Sequence, residues 1–181
     1  VSLHALRRSN FKFGDTVAVS GTGPIGLAAI QLAEAAGARK VVAIGTNSEK
    51  FPLLKEYGAD VCINARTSPD LAAEVRAAVG NPDGADVTLE CAGNQASLLN
   101  CVMQIAKPGS QVILVGIVGE PLDKLSLAPV IPREIDLLSS FVYTPEEIQM
   151  YLDMLANGKI RFPGMVTDII GLDEVVDKGV A

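Results

Sequence analysis

The sequence contains few of the residues that build metal, disulfide or aromatic sites. Its 181 residues include no tryptophan, one histidine and three cysteines, and only 4% are aromatic. The cysteines, Cys62, Cys91 and Cys101, lack a paired metal-ligand spacing, and their odd number argues against a disulfide framework. We therefore expect reduced thiols, no metal site in this chain and a cytoplasmic protein.

Positive charge and long apolar runs are also scarce. The chain has 15 Lys and Arg against 21 Asp and Glu, which gives a formal net charge of −6. Nucleic acid and anionic membranes are therefore not expected as partners, because either would need a basic face. No apolar run reaches the ~18 residues of a membrane span, and no signal peptide opens the sequence. A phosphorylated ligand is still compatible, because phosphate sites use local donors.

Short apolar runs alternate with helical patterns along the chain, and this alternation is typical of βαβ units in a parallel sheet. The hydrophobic residues make up 49% of the chain and are mostly Val, Ile, Leu and Ala, which suits buried parallel strands. We predict one α/β domain over residues 1–181. Its predicted strands are Thr16–Ser20, Lys40–Ile44, Val61–Asn64, Asp86–Cys91, Gln111–Val118 and Glu134–Phe141.

Capping residues predict where the helices begin and end. Pro24 suits the first position of a helix that runs to about Ala36, and Pro52 suits the first turn of the next helix. The remaining predictions are a Ser68 N-cap with a stop at Gly80, an Asn94 N-cap with a helix to about Lys107, a capping box at Thr144–Glu147 with an end at Asn157 and Gly158, a short strand at Met165–Ile170, and a helix from about Leu172.

A glycine-rich turn, Gly21–Gly26, lies between the first strand and its helix. Gly21 permits the turn, Gly23 permits close approach of a phosphate, and Gly26 permits close packing of helix and strand. Backbone N–H groups at a helix start bind a dinucleotide pyrophosphate. A tight turn without a ligand is the alternative, but the strand before the turn and the βαβ spacing after it favour a dinucleotide site.

The end of the second strand bears on which dinucleotide binds. NAD sites place Asp or Glu about 20 residues beyond the glycines, where it binds the adenosine ribose. Gly45 stands there instead, and Thr46, Asn47 and Lys50 follow as donors. The sequence therefore favours NADP, with NAD as the alternative, although this loop contains no arginine. The same residues would also serve as a polar turn that caps the next helix.

Motifs along nearly the whole chain resemble the zinc-dependent medium-chain alcohol dehydrogenases, and within them the sorbitol and 2,3-butanediol dehydrogenase branch. The resemblance implies a Rossmann fold with a doubly wound six-stranded parallel sheet and helices on both faces. It also implies that the chain is the cofactor half of a two-domain enzyme. The motifs are His4–Arg8, Phe13–Thr16, Gly21–Gly26, Gly58–Asp60, Glu90–Gly93, Val115–Ile117 and Ser140–Pro145.

The resemblance also implies which residues contact the cofactor. Lys50 matches the residue at the adenosine ribose, and Cys91 and Ala92 match the adenine side. Val115, Gly116 and Ile117 match the nicotinamide side, and Ser139, Ser140 and Phe141 match the segment at the carboxamide. With the residues already discussed, the predicted cofactor site comprises Gly21, Gly23, Pro24, Ile25, Gly26, Gly45, Thr46, Asn47, Lys50, Cys91, Ala92, Val115, Gly116, Ile117, Ser139, Ser140 and Phe141.

The family's zinc ligands and proton-relay residues belong to a catalytic domain outside this chain. We accordingly expect no catalytic residue here, and we expect His4 to pack or cap rather than to bind metal. The other partners implied are the missing catalytic domain and a second copy, which would pair by sheet extension near Leu122–Leu127. Two alternatives are a stand-alone nucleotide sensor and a zinc-independent quinone or enoyl reductase domain, although the glycine spacing argues against the latter.

Overall fold

A six-stranded, all-parallel sheet forms the centre of the molecule. The computed structural model describes residues 1–122, 126, 128 and 130–179. The strands lie in the order β3-β2-β1-β4-β5-β6, so the chain reverses direction across the sheet between β1 and β4, as in a doubly wound Rossmann fold. They are β1 Thr16–Ser20, β2 Lys40–Gly45, β3 Val61–Asn64, β4 Ala85–Glu90, β5 Ala106–Leu114 and β6 Asp136–Ser139.

Helices cover both faces of the sheet, as the resemblance implied. Short 3₁₀ turns occupy Ser48–Lys50, Ile131–Arg133 and Leu172–Glu174, and π-helical turns occupy Cys101–Ile105 and Val175–Gly179. The α-helices of the described residues are α1 Ser2–Arg8, α2 Pro24–Ala35, α3 Phe51–Glu56, α4 Leu71–Val79, α5 Gln95–Asn100 and α6 Pro145–Ala156.

Successive side chains of each buried strand enter opposite cores. In β1, Val17 and Val19 pack with α2 and α3, whereas Ala18 packs on the other face with α4 and the π-helical turn. All five residues of β1 are buried. This continuous burial explains why the strands contain runs of Val, Ile and Ala without polar alternation.

A third small core joins the beginning of the chain to its later part. Leu6 of α1, Leu32 of α2 and Ile160 after α6 form its buried centre. Next to it, the buried carboxylate of Glu147 accepts hydrogen bonds from His4 and Arg7, with His4 Nδ1 at 2.8 Å and Arg7 Nη1 at 3.2 Å. Thus α1 is fixed to α6 by both apolar packing and an ion pair.

Several predicted boundaries are confirmed. Gly80 ends α4 in the left-handed conformation, and Asn94 caps α5 by accepting a hydrogen bond from the Ser97 N–H. The capping box of Thr144 and Glu147 is present in full. Pro52 lies in the first turn of α3, which begins only after a 3₁₀ turn, as the missing proline N–H required.

Two predicted helix boundaries are wrong. The N-cap of α4 is Asp70 and not Ser68, because the Asp70 side chain accepts from the Ala73 N–H while Ser68 donates to the Glu74 carboxylate. The helix capped by Asn94 ends at Ile105, where a π-helical turn closes it, and not near Lys107. Ala106 already pairs with Ala85 of β4, and the register shifts within β5 before pairing resumes between Val87 and Gln111.

Thr16–Ser20 and Val61–Asn64 are confirmed as strands, and the second strand extends one residue further than predicted, to Gly45. Three other predicted strands are too long at their carboxyl ends, and one further predicted strand is absent. β5 ends at Leu114 and β6 at Ser139, since these two residues form the last register pair. β4 spans Ala85–Glu90, so Cys91 lies just beyond it. The segment Met165–Ile170 forms no strand, because it finds no sheet partner among the described residues and leaves Ile169 96% exposed. The predicted self-association segment, Leu122–Leu127, lies for the most part outside the described residues.

Candidate functional site

The glycine turn closes tightly against the neighbouring strand end. Gly21 has a φ of +110°, and a Cβ at this position would lie 2.6 Å from the backbone nitrogen of Ala92. A Cβ on Gly26 would lie 1.9 Å from the carbonyl oxygen of Gly21. Neither position has room for a side chain, so both glycines are required by the backbone path of the turn.

The first turn of α2 is open toward the cleft. Gly23 is its N-cap with a φ of −80°, and no side chain caps the helix. A Cβ on Gly23 would meet nothing within 4 Å, and Pro24 at the first helical position needs no acceptor. The free N–H groups and the helix dipole therefore face space that an anionic group can occupy.

The end of β2 has no space for an acidic side chain. Gly45 is buried, and a Cβ there would lie 2.7 Å from Cγ2 of Thr22 in the glycine turn. Thr46, Asn47 and Lys50 follow as exposed residues. The Asn47 side-chain oxygen accepts from the Glu49 N–H at 2.9 Å, which leaves its amide nitrogen as a donor.

The Glu90 side chain lies between the segment that follows β4 and the segment that follows β5. Its carboxylate is buried and accepts hydrogen bonds from the N–H groups of Ala92 at 2.9 Å and Gly93 at 3.1 Å. A Cβ on Gly116 would lie 2.6 Å from the second carboxylate oxygen. Burial, with a smaller contribution from the Glu90 charge, raises the pKa of the adjacent Cys91 thiol to about 12. Cys91 is therefore a neutral lining residue and not a nucleophile.

The segments after β5 and β6 lie side by side. The N–H groups of Val115 and Gly116 donate to the Glu90 carbonyl, and the Ser140 N–H donates to the Leu114 carbonyl, each at 2.9 Å. Ile117 and Phe141 are 77% and 73% exposed, and Ser139 is exposed as well. The Ser140 hydroxyl is buried and has no hydrogen-bond partner within the described ranges. A buried hydroxyl without a partner suits a site that receives a polar ligand group.

A cleft of ≈ 420 Å³ at the carboxyl ends of the strands joins part of the predicted site. This volume is within the ~300–1,000 Å³ of small-molecule sites, and the place is where open α/β sheets bind ligands. The predicted residues that line it are Gly21, Gly23, Gly45, Thr46, Cys91 and Ala92. Asn47, Lys50 and the segments 115–117 and 139–141 do not line it, and Gly26 is buried behind the turn.

Pro24 and Ile25 instead line a second cavity of ≈ 400 Å³. It lies between α1, α2 and α6 and is mainly apolar, with Tyr143, Tyr151 and Phe162 in its wall. This side of the molecule also exposes large apolar side chains, including Ile148 at 45% and Leu152 at 50%. Such a surface is typical of a protein–protein or interdomain contact.

The cleft also contains residues that the sequence reading missed, above all Thr22 and Arg66. Arg66 follows β3 and so lies outside the loop after β2, which contains the predicted contacts to the adenosine ribose. The register pairs Gly45 with Asn64, so the segments after β2 and β3 are adjacent in space. The expected position of β3 next to β2 in a doubly wound sheet was the signal that would have pointed to Arg66.

His4 lies away from this cleft, and its Nδ1 hydrogen-bonds to the Glu147 carboxylate. The desolvation of Glu147 raises the pKa of that carboxyl, but hydrogen bonds from Thr144 and His4 and the charges of His4 and Arg7 hold it below its usual range.

Across the described ranges, no group of three or more His, Cys, Asp or Glu side chains comes together as a metal site would require. Nor does any helix there have the length and apolar character needed to cross a membrane.

Comparison with known proteins identifies the family. Residues 24–157 match the family model of the zinc-binding dehydrogenases. Sorbitol dehydrogenase from Rattus norvegicus is 31% identical over 98% of this chain and 49% of its own length. The crystal structure of 2R,3R-butanediol dehydrogenase from Bacillus subtilis aligns over 99% of this chain and 50% of that chain, with a TM-score of 0.86 and 27% identity.

A further solved structure has a ligand. It is a provisionally identified zinc-binding dehydrogenase from Sinorhizobium meliloti 1021 bound to NADP, with a TM-score of 0.86, 32% identity, and coverage of 97% of this chain and 51% of that chain. The chain thus spans about half the length of the relatives it matches. With the family model matching most of its length, the chain belongs to the zinc-binding dehydrogenase family.

Proposed function

We propose that residues 1–181 form the dinucleotide-binding domain of a zinc-dependent alcohol or polyol dehydrogenase that prefers NADP. The observation that carries this proposal is the open cleft at the carboxyl ends of β1, β2 and β4, onto which the uncapped start of α2 opens. The cofactor would supply hydride transfer when bound. The residues of this chain would bind the cofactor and orient it.

The role proposed for each residue set follows from its position at the carboxyl ends of the strands, in or beside the cleft. The N–H groups of the Gly21–Gly26 turn would hold the pyrophosphate, with Pro24 and Ile25 in the first helical turn. Thr46, Asn47 and Lys50 would lie beside the adenosine ribose, and Cys91 and Ala92 beside the adenine. The nicotinamide would occupy the far side of the Glu90-centred strand ends, between the segments 115–117 and 139–141.

The preference for NADP rests on the end of β2. A carboxylate there would accept hydrogen bonds from the ribose hydroxyls of NAD and would repel a 2′-phosphate. Gly45 removes that carboxylate, and the nearby Thr22 side chain leaves no room for one. The NADP-bound relative from Sinorhizobium meliloti 1021 supports this choice.

The zinc and the substrate site would belong to the part of the protein outside this chain. The relatives are about twice as long as the region they share with it. The second, apolar cavity and the exposed side chains of α6 offer the surface on which a catalytic domain would pack. We therefore expect the 181-residue chain to bind dinucleotide without oxidising an alcohol.

Calorimetric titration of the chain with NADP, alongside a Gly23→Asp variant, tests the binding proposal. A side chain at position 23 meets no atom within 4 Å, so the variant should fold normally. Its carboxylate would face the pyrophosphate and should abolish binding. Gly119→Asp is the matched control, because it also adds a carboxylate at an exposed glycine whose Cβ would meet no atom within 4 Å and whose φ is not left-handed. Equal affinity of Gly23→Asp and unmodified protein would contradict the proposed site.

A further inference from the structure

Arg66 is the only charged side chain among the described residues that line the cleft. The chain as a whole has a formal net charge of −6, yet no Asp or Glu side chain lines this part of its surface. A positive cleft on an acidic protein attracts an anionic ligand and discriminates against a neutral one.

The backbone of Arg66 is held next to Gly45 by three hydrogen bonds. The Ala65 N–H donates to the Gly45 carbonyl at 2.8 Å. The Asn64 amide nitrogen donates to the Ser48 hydroxyl at 2.8 Å, and its oxygen accepts from the Arg66 N–H at 3.0 Å. These bonds tie the segment after β3 to the loop after β2, so the position of the Arg66 backbone does not depend on a ligand.

The side chain of Arg66 is exposed and available. In the described part of the chain, its guanidinium takes part in no ion pair, whereas Arg7 pairs with Glu147 and Arg133 donates to backbone carbonyls. A free guanidinium presents a planar fork of donors that fits a phosphate bidentately. No carboxylate needs to be displaced before a phosphate can bind.

We propose that Arg66 binds the 2′-phosphate of NADP and is the main determinant of the preference for NADP over NAD. The inference rests on the proposed dinucleotide function and adds the residue that reads the phosphate. The start of α2 would bind the pyrophosphate, so the Arg66 charge remains for a second anionic group. Gly45 places no carboxylate beside the 2′-phosphate, and Arg66 provides the positive charge.

The test compares Arg66→Gln and Arg66→Lys with the unmodified chain by calorimetry, using NADP, NAD, 2′,5′-ADP and 5′-AMP. Loss of a charge-assisted phosphate contact should weaken NADP and 2′,5′-ADP roughly ten- to a hundredfold in Arg66→Gln, and less in Arg66→Lys. NAD and 5′-AMP, which lack the 2′-phosphate, should change by less than about twofold. Added salt should reduce the difference between NADP and NAD in the unmodified chain.

Arg39→Gln is the matched control, because Arg39 is an exposed arginine just before the amino end of β2, at the opposite edge of the sheet. It should leave all four affinities unchanged. An equal loss for all four ligands in Arg66→Gln would overturn the inference, since Arg66 would then contact the shared adenosine. So would unchanged NADP affinity, or an equal NADP loss in Arg39→Gln. If the unmodified chain binds neither dinucleotide, the proposed function itself fails.

Discussion

Gly45 and Thr22 share one volume at the cleft: a Cβ on Gly45 would lie 2.7 Å from Cγ2 and 3.0 Å from Oγ1 of Thr22. The two residues come from different βα turns and meet because β1 and β2 are neighbours in the sheet. Whether position 45 can hold a carboxylate is therefore decided in part by position 22.

This relationship predicts that cofactor preference changes only when both positions change. Gly45→Asp alone should bind both dinucleotides weakly, because the new carboxylate repels the 2′-phosphate and Thr22 prevents its correct placement. Thr22→Ala combined with Gly45→Asp should favour NAD by about tenfold or more, since each ribose hydroxyl can then donate to the carboxylate. Calorimetric titration checks this, with Thr22→Ala alone as control. A double variant that still prefers NADP would refute the shared-volume argument.

A methyl group at position 26 should be much more harmful than one at position 23. Gly26→Ala would place its Cβ 1.9 Å from the Gly21 carbonyl oxygen, so α2 or the turn must shift. Overpacking of this kind costs about 1–3 kcal/mol. Gly23→Ala adds its methyl in open space and loses only the N-cap preference of glycine over alanine, so it should cost less, about 0.5 kcal/mol. Thermal unfolding followed by circular dichroism distinguishes the two, and equal stability would mean that the turn is looser than described.

The Glu147 carboxylate should stabilise the contact between α1 and α6 above acidic pH. Glu147→Gln weakens the hydrogen bonds from His4 and Arg7 and should cost about 1–3 kcal/mol in the free energy of unfolding. Asp153→Asn, which changes an exposed carboxylate later in the same helix, is the control.

The sign of the pH dependence follows from the lowered pKa of Glu147. A carboxyl group with a lower pKa in the folded state stabilises the fold above its unfolded value and loses that effect as the pH falls through the folded value. The difference in stability between the unmodified chain and Glu147→Gln should therefore shrink below about pH 4. Urea unfolding at several pH values measures it. A difference that grows on acidification would contradict the assignment.

The three thiols should react slowly in the folded protein. Burial raises the pKa of Cys62, Cys91 and Cys101, and for Cys91 the value is about 12. Because the thiolate is the reactive form, an aromatic disulfide reagent at neutral pH should label them only slowly. All three should react at once in denaturant. Rapid labelling of one thiol in the native chain would reveal a more open strand end than the structure describes.

The order of elements was predictable from sequence because buried parallel strands and capping residues leave strong local signals. Thr16–Ser20 and the capping box at Thr144 are determined by residues within a few positions of one another. The prediction of a strand at Met165–Ile170 was wrong because it used local residues alone. These apolar residues suit a strand, but no neighbouring strand pairs with the segment among the described residues. Strand formation depends on a partner that the local sequence does not encode.

Site residues that belong to a single turn could be predicted from the sequence, whereas contacts between residues of different turns could not. Gly21, Gly23 and Gly45 were found from their spacing, and the structure places these three glycines on one cleft. The contact of Thr22 with Gly45, and the approach of Arg66 to the same edge, depend on how three strands lie side by side. Neither follows from any single motif.

The relative affinity of the chain for NADP and NAD is the most direct test of the proposed cofactor site. We would titrate the unmodified 181-residue chain with NADP and with NAD by isothermal calorimetry at the same salt concentration. The glycine turn predicts that the chain binds dinucleotide, and Gly45 together with Arg66 predicts that NADP binds more tightly, by about tenfold or more. Tighter binding of NAD would contradict the account.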